Sequence, residues 1–152
     1  QQAQEYQTGP EFPKSIAGPA DLNTASLICS DIFSANLAKN AAINSNLLIS
    51  QTSFSFSKNP EDLIWLDLAA GKFRAAENGR YLVKSSNFGR SYIVSDQGVV
   101  VKMASNLDSQ ILTGSVVLKD NKTMYNKVGD WPILLASLSV ILASLLWIRP
   151  RQ

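Results

Sequence analysis

Two short uncharged runs, Ala25 to Ile28 and Leu47 to Ser50, stand on either side of a helical pattern that extends from Asp31 to Ile43. Runs of this length without polar alternation fit strands covered on both faces, and a helix between two of them is the crossover that makes them parallel neighbours. Asn44, Ser45 and Asn46 make the turn back into the second strand. The chain is thereby committed to an α/β arrangement with a parallel centre.

The first of these strands ends at Cys29, the only cysteine among 152 residues. A thiol where a strand gives way to a helix sits near the positive end of a helix dipole, which favours thiolate, and backbone N–H groups there can face an oxyanion. Two readings stand for it: an inert core thiol, or a nucleophile. Histidine is absent, which removes Ser/His and Cys/His pairs and most zinc sites, so any acid or base must be a carboxylate, lysine or tyrosine. No metal or cofactor is called for. A net charge of +2 with no basic stripe excludes a nucleic-acid partner.

Residues 1–24, with Pro10, Pro13 and Pro19, read as a polar extended lead-in without a signal peptide. Asp31 is the cap or first-turn acid of the helix that follows Cys29. Between Gln51 and Lys58, Phe54 and Phe56 alternate with small polar residues; this loop either tucks its rings into the domain or walls a cavity facing Cys29. Asn59-Pro60-Glu61-Asp62 starts a helix that continues to Asn78, with Leu63, Leu66, Ala70, Phe73 and Glu77 on one face and Gly79 as its stop. Glu77 pairs with Arg74 or Arg80 on the surface. Four strand patterns follow: Tyr81–Ser85, Ser91–Val94, Val99–Met103 and Ile111–Leu118, the middle two joined by Asp96-Gln97-Gly98 as a hairpin. Lys84, Asn87 and Gly89 form either a strand end with a tight turn or a second wall of a pocket.

From Trp131 to Ile148 there is no charge. Ile133 to Ile148 alone reaches about 24 Å as a helix, and Trp131 and Trp147 bracket it as interfacial rings would, so 131–148 reads as a transmembrane helix with 149–152 as a tail. Arg149 and Arg151 put that tail in the cytoplasm and residues 1–130 on the outer side of a bacterial inner membrane. Such an arrangement calls for a signal or membrane segments upstream in the gene.

Three stretches in register carry a resemblance: Leu27-Ile28-Cys29-Ser30-Asp31, Arg74-Ala75-Ala76-Glu77-Asn78-Gly79-Arg80 leading to Ser86-Asn87-Phe88-Gly89, and Tyr125-Asn126-Lys127-Val128-Gly129-Asp130-Trp131-Pro132. Together they resemble the C-terminal portion of apolipoprotein N-acyltransferase, from about Ser26 to Leu146. The resemblance implies that residues 25–130 are the second half of a nitrilase-type (carbon–nitrogen hydrolase) αββα sandwich. It further implies an acyltransferase in which Cys29 takes an acyl chain from a phospholipid as a thioester and passes it to the α-amino group of a diacylglyceryl-cysteine on an apolipoprotein. Asp31 falls at a position where the family has glutamate, and Ser30, Phe54, Phe56 and Asn87 are the candidate substrate contacts.

This chain departs from the family pattern in places. The corner is Cys29-Ser30-Asp31 where C-Y-E is usual, Ser50 to Phe56 replaces S-N-D-x-W-F-G, and Leu66 and Asp67 stand where a Q-H pair is frequent. The family's glutamate base and lysine lie well upstream of the cysteine, and Glu5, Glu11 and Lys14 lack the strand context for those roles. Two other readings compete: a catalytically degenerate, membrane-anchored binding or scaffolding module, and a carbon–nitrogen hydrolase with water as acceptor. A half sandwich should also expose an apolar sheet face.

Overall fold

The computed structural model describes residues 12–105 and 109–147. Six strands form one sheet whose order is that of the sequence: β1 (Ile16–Ala17), β2 (Asn23–Ile28), β3 (Leu47–Ser53), β4 (Tyr81–Asn87), β5 (Tyr92–Val94) and β6 (Val100–Met103). The centre, β2, β3 and β4, is parallel, and β1, β5 and β6 add antiparallel edges. Helix α1 (Ala35–Ile43) makes the crossover from β2 to β3, and α2 (Glu61–Asn78) that from β3 to β4. A five-residue 3-10 turn, Cys29–Phe33, intervenes before α1, and α3 (Met124–Val128) and α4 (Trp131–Trp147) close the described chain.

One face of the sheet is buried beneath α1 and α2. Ala25 and Leu27 of β2, Leu48 of β3, Leu82 of β4, and Tyr92 and Val94 of β5 pack there with Ile32, Ala38, Ala41, Ala42, Leu68 and Ala75. The alternate residues Ser26, Ile49 and Val83 point the other way and are only half-buried. The opposite face is therefore partly open.

Several sequence expectations are corrected. The helix read from Asp31 begins instead at Ala35: Ser34 is its N-cap, accepting from the Leu37 N–H at 3.3 Å, and Asp31 belongs to the preceding turn. The N-cap of α2 is Pro60, without a side-chain cap bond, and the apolar face assigned to that helix is not the buried one. Leu66 and Phe73 are more than half exposed, whereas Ile64, Asp67, Leu68, Gly71, Arg74, Ala75 and Asn78 face inward. The polar members of that inner face each meet partners, as described below. Residues 1–24 include a strand, β1, paired through Ile16↔Thr24 and Ala17↔Asn23; residues 1–11 of that lead-in lie outside the described residues. Ile111 to Leu118 forms no strand. It runs across the sheet, with Gly114 against the Ile93 side chain and the Thr113 carbonyl accepting from Lys102 Nζ at 2.8 Å.

The transmembrane reading of 131–148 is not supported by the described residues. Helix α4 forms over Trp131–Trp147, about 26 Å long at about 1.5 Å per residue. Among the described residues no helix is long and apolar enough to cross a membrane. Every α4 side chain described is exposed. Ile148 and the tail 149–152 lie outside the described residues.

Candidate active site

Cys29 stands at the carboxyl ends of the parallel strands, one residue past the Ile28↔Gln51 pairing, with Gln51 paired in turn to Ser85. Its backbone adopts φ 53°, the left-handed region that a side chain with a Cβ occupies only under local constraint. The constraint is visible. The Ile28 N–H donates to Asp31 Oδ2 at 2.9 Å, closing the turn around the cysteine. Asp31 thus does the work of a cap on the turn that holds Cys29, with one carboxylate oxygen already engaged. Constrained corners of this kind present a side chain clear of the sheet, and the Cys29 thiol is free and exposed.

An open cavity of about 400 Å³ lies over it, lined by Ile28, Cys29, Gln51, Thr52, Ser53, Ser85 and Asn87. Of the candidate contacts, Asn87 is in this lining, where its Nδ2 reaches Ser53 Oγ at 3.4 Å. Ser30 is exposed beside the cysteine but outside the lining. Phe54 and Phe56 are not brought to it. Phe54 is buried under the turn after β4: its N–H donates to the Asn87 carbonyl at 2.9 Å, and its ring fills the space that a Cβ on Gly89 would occupy. Gly89 is therefore a close-approach glycine, and Phe88 beside it takes φ 54°. Phe56 is 72% exposed, its ring centroid 6.5 Å from that of Phe54.

For Lys84, read from the sequence as a strand end or a second wall of a pocket, what the sequence reading missed is the set of buried partners. Lys84 is no strand end: its ammonium is buried on the helix-covered face and donates to Asp67 Oδ1 at 2.6 Å, Thr52 Oγ1 at 2.8 Å and Ser50 Oγ at 3.2 Å. All three N–H donors are matched. Asp67 in turn accepts at Oδ2 from Tyr92 Oη at 3.0 Å. Burial pushes the Lys84 amine below the ordinary lysine range, opposed first by Asp67 and then by the Cys29 sulfur. Burial, with the Asp67 charge, pushes the Tyr92 phenol far above its usual range. The signal available in the sequence was a carboxylate, Asp67, inside a helix and an ammonium, Lys84, inside a strand, directly after the apolar pair Leu82-Val83.

Glu77 pairs with Arg74, at 2.9 Å, and not with Arg80. Arg80 turns inward, fully buried, and donates to the carbonyls of Ser45 and Asn121 at 2.7 Å and of Ala42 at 3.4 Å. Among the described residues no group of three His, Cys, Asp or Glu side chains gathers to hold a metal. Lys14 is exposed in the lead-in, and Glu5 and Glu11 lie outside the described residues. The site as it stands offers an exposed thiol, a capped and strained corner, and a buried ammonium already saturated with acceptors. A free general base for the thiol is not part of it among the described residues.

A parallel α/β sheet with a cysteine at a left-handed corner past the first of its parallel strands has the form of a nitrilase-type unit, and solved structures carry the same fold. Two structures of an amidase from Nesterenkonia, one an adduct of acrylamide with that enzyme's active-site cysteine, match with a TM-score of 0.51 and 19% identity over 65% of this chain; they are covered to 41% and 39% of their own length. The sequence relatives are more particular. Proteins named apolipoprotein N-acyltransferase match from Photobacterium profundum, 27% identical over 84% of this chain, and from Pseudomonas paraeruginosa, 30% identical over 89% of it. The chain spans 25% and 28% of the length of these two. No protein-family profile matches. Over most of its length the chain is thus a relative of one stretch of apolipoprotein N-acyltransferase, with a partial nitrilase-type fold.

Proposed function

We propose that this chain is the nucleophile-bearing, C-terminal part of an apolipoprotein N-acyltransferase of the bacterial inner membrane, with its sheet domain on the outer side. The observation that carries the reading is the Cys29 corner: an exposed thiol, held at positive φ past the first parallel strand, β2, in a chain whose named relatives are acyltransferases. The thiolate attacks the ester carbonyl of a phospholipid. A C–S bond forms, the acyl C–O bond breaks, and the lyso-lipid oxygen leaves with a proton. The α-amine of a diacylglyceryl-cysteine on the apolipoprotein then attacks the thioester; C–N forms, C–S breaks, and the thiol is restored. Splitting one acyl transfer into two suits a thiolate, which is both a good nucleophile and a good leaving group.

In this scheme Cys29 is the nucleophile. Asp31 fixes its corner, Asn87 lines the cavity that receives the acyl carbonyl, Ser30 flanks the nucleophile outside that lining, and the exposed ring of Phe56 and the apolar side chains of α4 meet lipid chains. The proton acceptor and the cation that steadies the tetrahedral intermediate come from a part of the protein preceding this chain. The test is incubation of the full-length membrane protein with acyl-labelled phospholipid, followed by mass analysis of the Cys29 peptide. A hydroxylamine-sensitive acyl mass on Cys29, lost in Cys29→Ala, is expected; its absence overturns the reading. The fold likeness to an amidase supports one alternative, transfer to water, which the same preparation would reveal as hydrolysis of small amides without an acylated intermediate from phospholipid. Absence of both reactions would favour a binding or scaffolding module.

A further inference from the structure

The open face of the sheet changes character as it approaches the thiol. The residues turned away from the helices run Ile49, Gln51, Ser53 along β3 and Val83, Ser85, Asn87 along β4, so each strand passes from an apolar side chain to hydrogen-bonding ones. Their neighbours fix this facing: Lys84 donates to Ser50 on the helix-covered side, which puts Gln51 and Ser85 on the other. Gln51 pairs in register with Ser85 on one side and with Ile28, the residue before the nucleophile, on the other. All three line the cavity over Cys29.

Within that lining Asn87 and Ser53 are already joined to each other. Gln51 and Ser85 are exposed, and neither side chain enters a hydrogen bond among the described residues. No lysine, arginine or carboxylate lines the cavity. Such a lining selects a class of partner. A phosphate is held by cationic groups or a helix N-terminus, and hydrocarbon would leave an amide and a hydroxyl unmatched. A carboxamide carries an acceptor and two donors, and a hydroxyl carries both, which together complement the C=O and N–H of a peptide unit. The spacing agrees. Neighbouring strands lie about 4.8 Å apart and successive Cα atoms of a peptide about 3.8 Å, so a peptide unit held at Gln51 is about one residue removed from the nucleophile corner.

We infer that Gln51 and Ser85 form the acceptor subsite of this corner, and that they take a peptide by the C=O and N–H of the unit that follows the acylated α-amine. The assignment rests on the acyl-transfer reading given above and gives the polar lining to its second half-reaction. There the α-amine attacks the thioester on Cys29, the C–N bond forms, the C–S bond breaks, and the proton lost by the amine restores the thiol. Gln51 and Ser85 hold the amine in place and exchange no proton.

The experiment uses the full-length protein in detergent micelles, loaded on Cys29 from acyl-labelled phospholipid, and follows loss of the thioester to three amines. They are diacylglyceryl-cysteine at the head of a short peptide, the same lipid amino acid as its methyl ester, which lacks the N–H, and hydroxylamine, which needs no subsite. The unaltered protein is expected to prefer the peptide to the ester by about tenfold, as for one good hydrogen bond. Gln51→Leu should lower the peptide rate about tenfold and erase the preference, and Ser85→Ala should do so in part. Both variants should keep the rates of loading and of reaction with hydroxylamine. Gln51→Met, nearer in length, serves if Gln51→Leu fails to accumulate. Equal rates with peptide and ester in the unaltered protein, or a preference that survives Gln51→Leu, overturn the assignment. Slower loading from phospholipid in the variants would give the lining to the donor, and a parallel fall with hydroxylamine would reduce it to shaping the corner; either result also overturns it. Failure of the unaltered protein to load from phospholipid overturns instead the acyl-transfer reading, and Cys29 loaded from a short-chain nitrophenyl ester then carries the same three-amine comparison.

Discussion

The ammonium of Lys84 and the carboxylate of Asp67 lie 2.6 Å apart inside the domain, where β4 faces α2, with both side chains almost wholly withdrawn from water. A buried pair of this kind is weak evidence of net stability, since desolvation offsets much of the attraction, but breaking it on one side is severe. Lys84→Met leaves Asp67 charged and held only by Tyr92, and should lower the unfolding free energy by about 3 to 5 kcal/mol. Adding Asp67→Leu removes the stranded charge and should recover much of that loss. Urea unfolding of the two single variants and the double closes the cycle; a double variant no better than Lys84→Met would contradict the pairing.

Tyr92 ties the pair to the alkaline behaviour of the fold. Its phenol donates to Asp67, and its folded-state proton affinity is raised far above the usual value near 10 by burial and by that carboxylate. A raised folded-state value means that the folded protein keeps the proton after the unfolded chain has lost it. The contribution is complete below pH 10 and falls away as pH rises beyond it, by about 1.4 kcal/mol per pH unit. Tyr92→Phe, less stable near neutrality by about 1 to 3 kcal/mol through the unmatched Asp67 oxygen, lacks this term. The gap between the two proteins should therefore narrow above pH 10 in denaturant unfolding.

Gly71 packs its bare Cα under the same tyrosine; a Cβ there would overlap Tyr92 Oη. Glycine to alanine in a helix interior ordinarily stabilises by about 1 kcal/mol. Here the sign should reverse. Gly71→Ala is expected to lower the melting temperature, and Gly71→Ala with Tyr92→Phe to lower it by less than the sum of the separate losses, because removing the hydroxyl removes the closest of the contacts, leaving the ring carbons at 3.0 and 3.1 Å.

The same network accounts for what the sequence could and could not reveal. The runs Ala25–Ile28 and Leu47–Ser50 announced parallel strands because burial on the helix side and partial cover on the other leave no alternation to confuse them. The phase of α2 was misread because apolar periodicity assumes that the buried face is the apolar one, whereas Asp67, Arg74 and Asn78 turn inward and leave Trp65, Leu66 and Phe73 in solvent. Their partners, Lys84, Tyr92, Phe33 and Asn126, lie in other elements, so only tertiary contact reveals why the polar side is inside. Phe54 and Phe56 illustrate a different limit. Alternation in a loop gives no direction, and it was the close approach at Gly89 that drew Phe54 inward, away from the cavity over Cys29.

The cysteine itself was legible as a corner residue, but its backbone strain was not, and that strain makes a last prediction. At φ 53° any residue with a Cβ is disfavoured by about 1 to 2 kcal/mol relative to glycine. Replacing alanine by glycine elsewhere is destabilising by about 0.5 to 1 kcal/mol, through the greater freedom of the unfolded chain. The two effects oppose each other, and at this corner the strain is the larger. Cys29→Gly should therefore unfold at the same urea concentration as Cys29→Ala or a higher one. Asp31→Ala, which strips the acceptor from the Ile28 N–H, should be destabilising by about 1 kcal/mol in the unaltered chain, as for the loss of a cap. The loss should be smaller when combined with Cys29→Gly, since the clasp then holds a residue that is no longer strained. Equal losses in the two backgrounds would show that Asp31 anchors the turn without bearing on the conformation of the nucleophile.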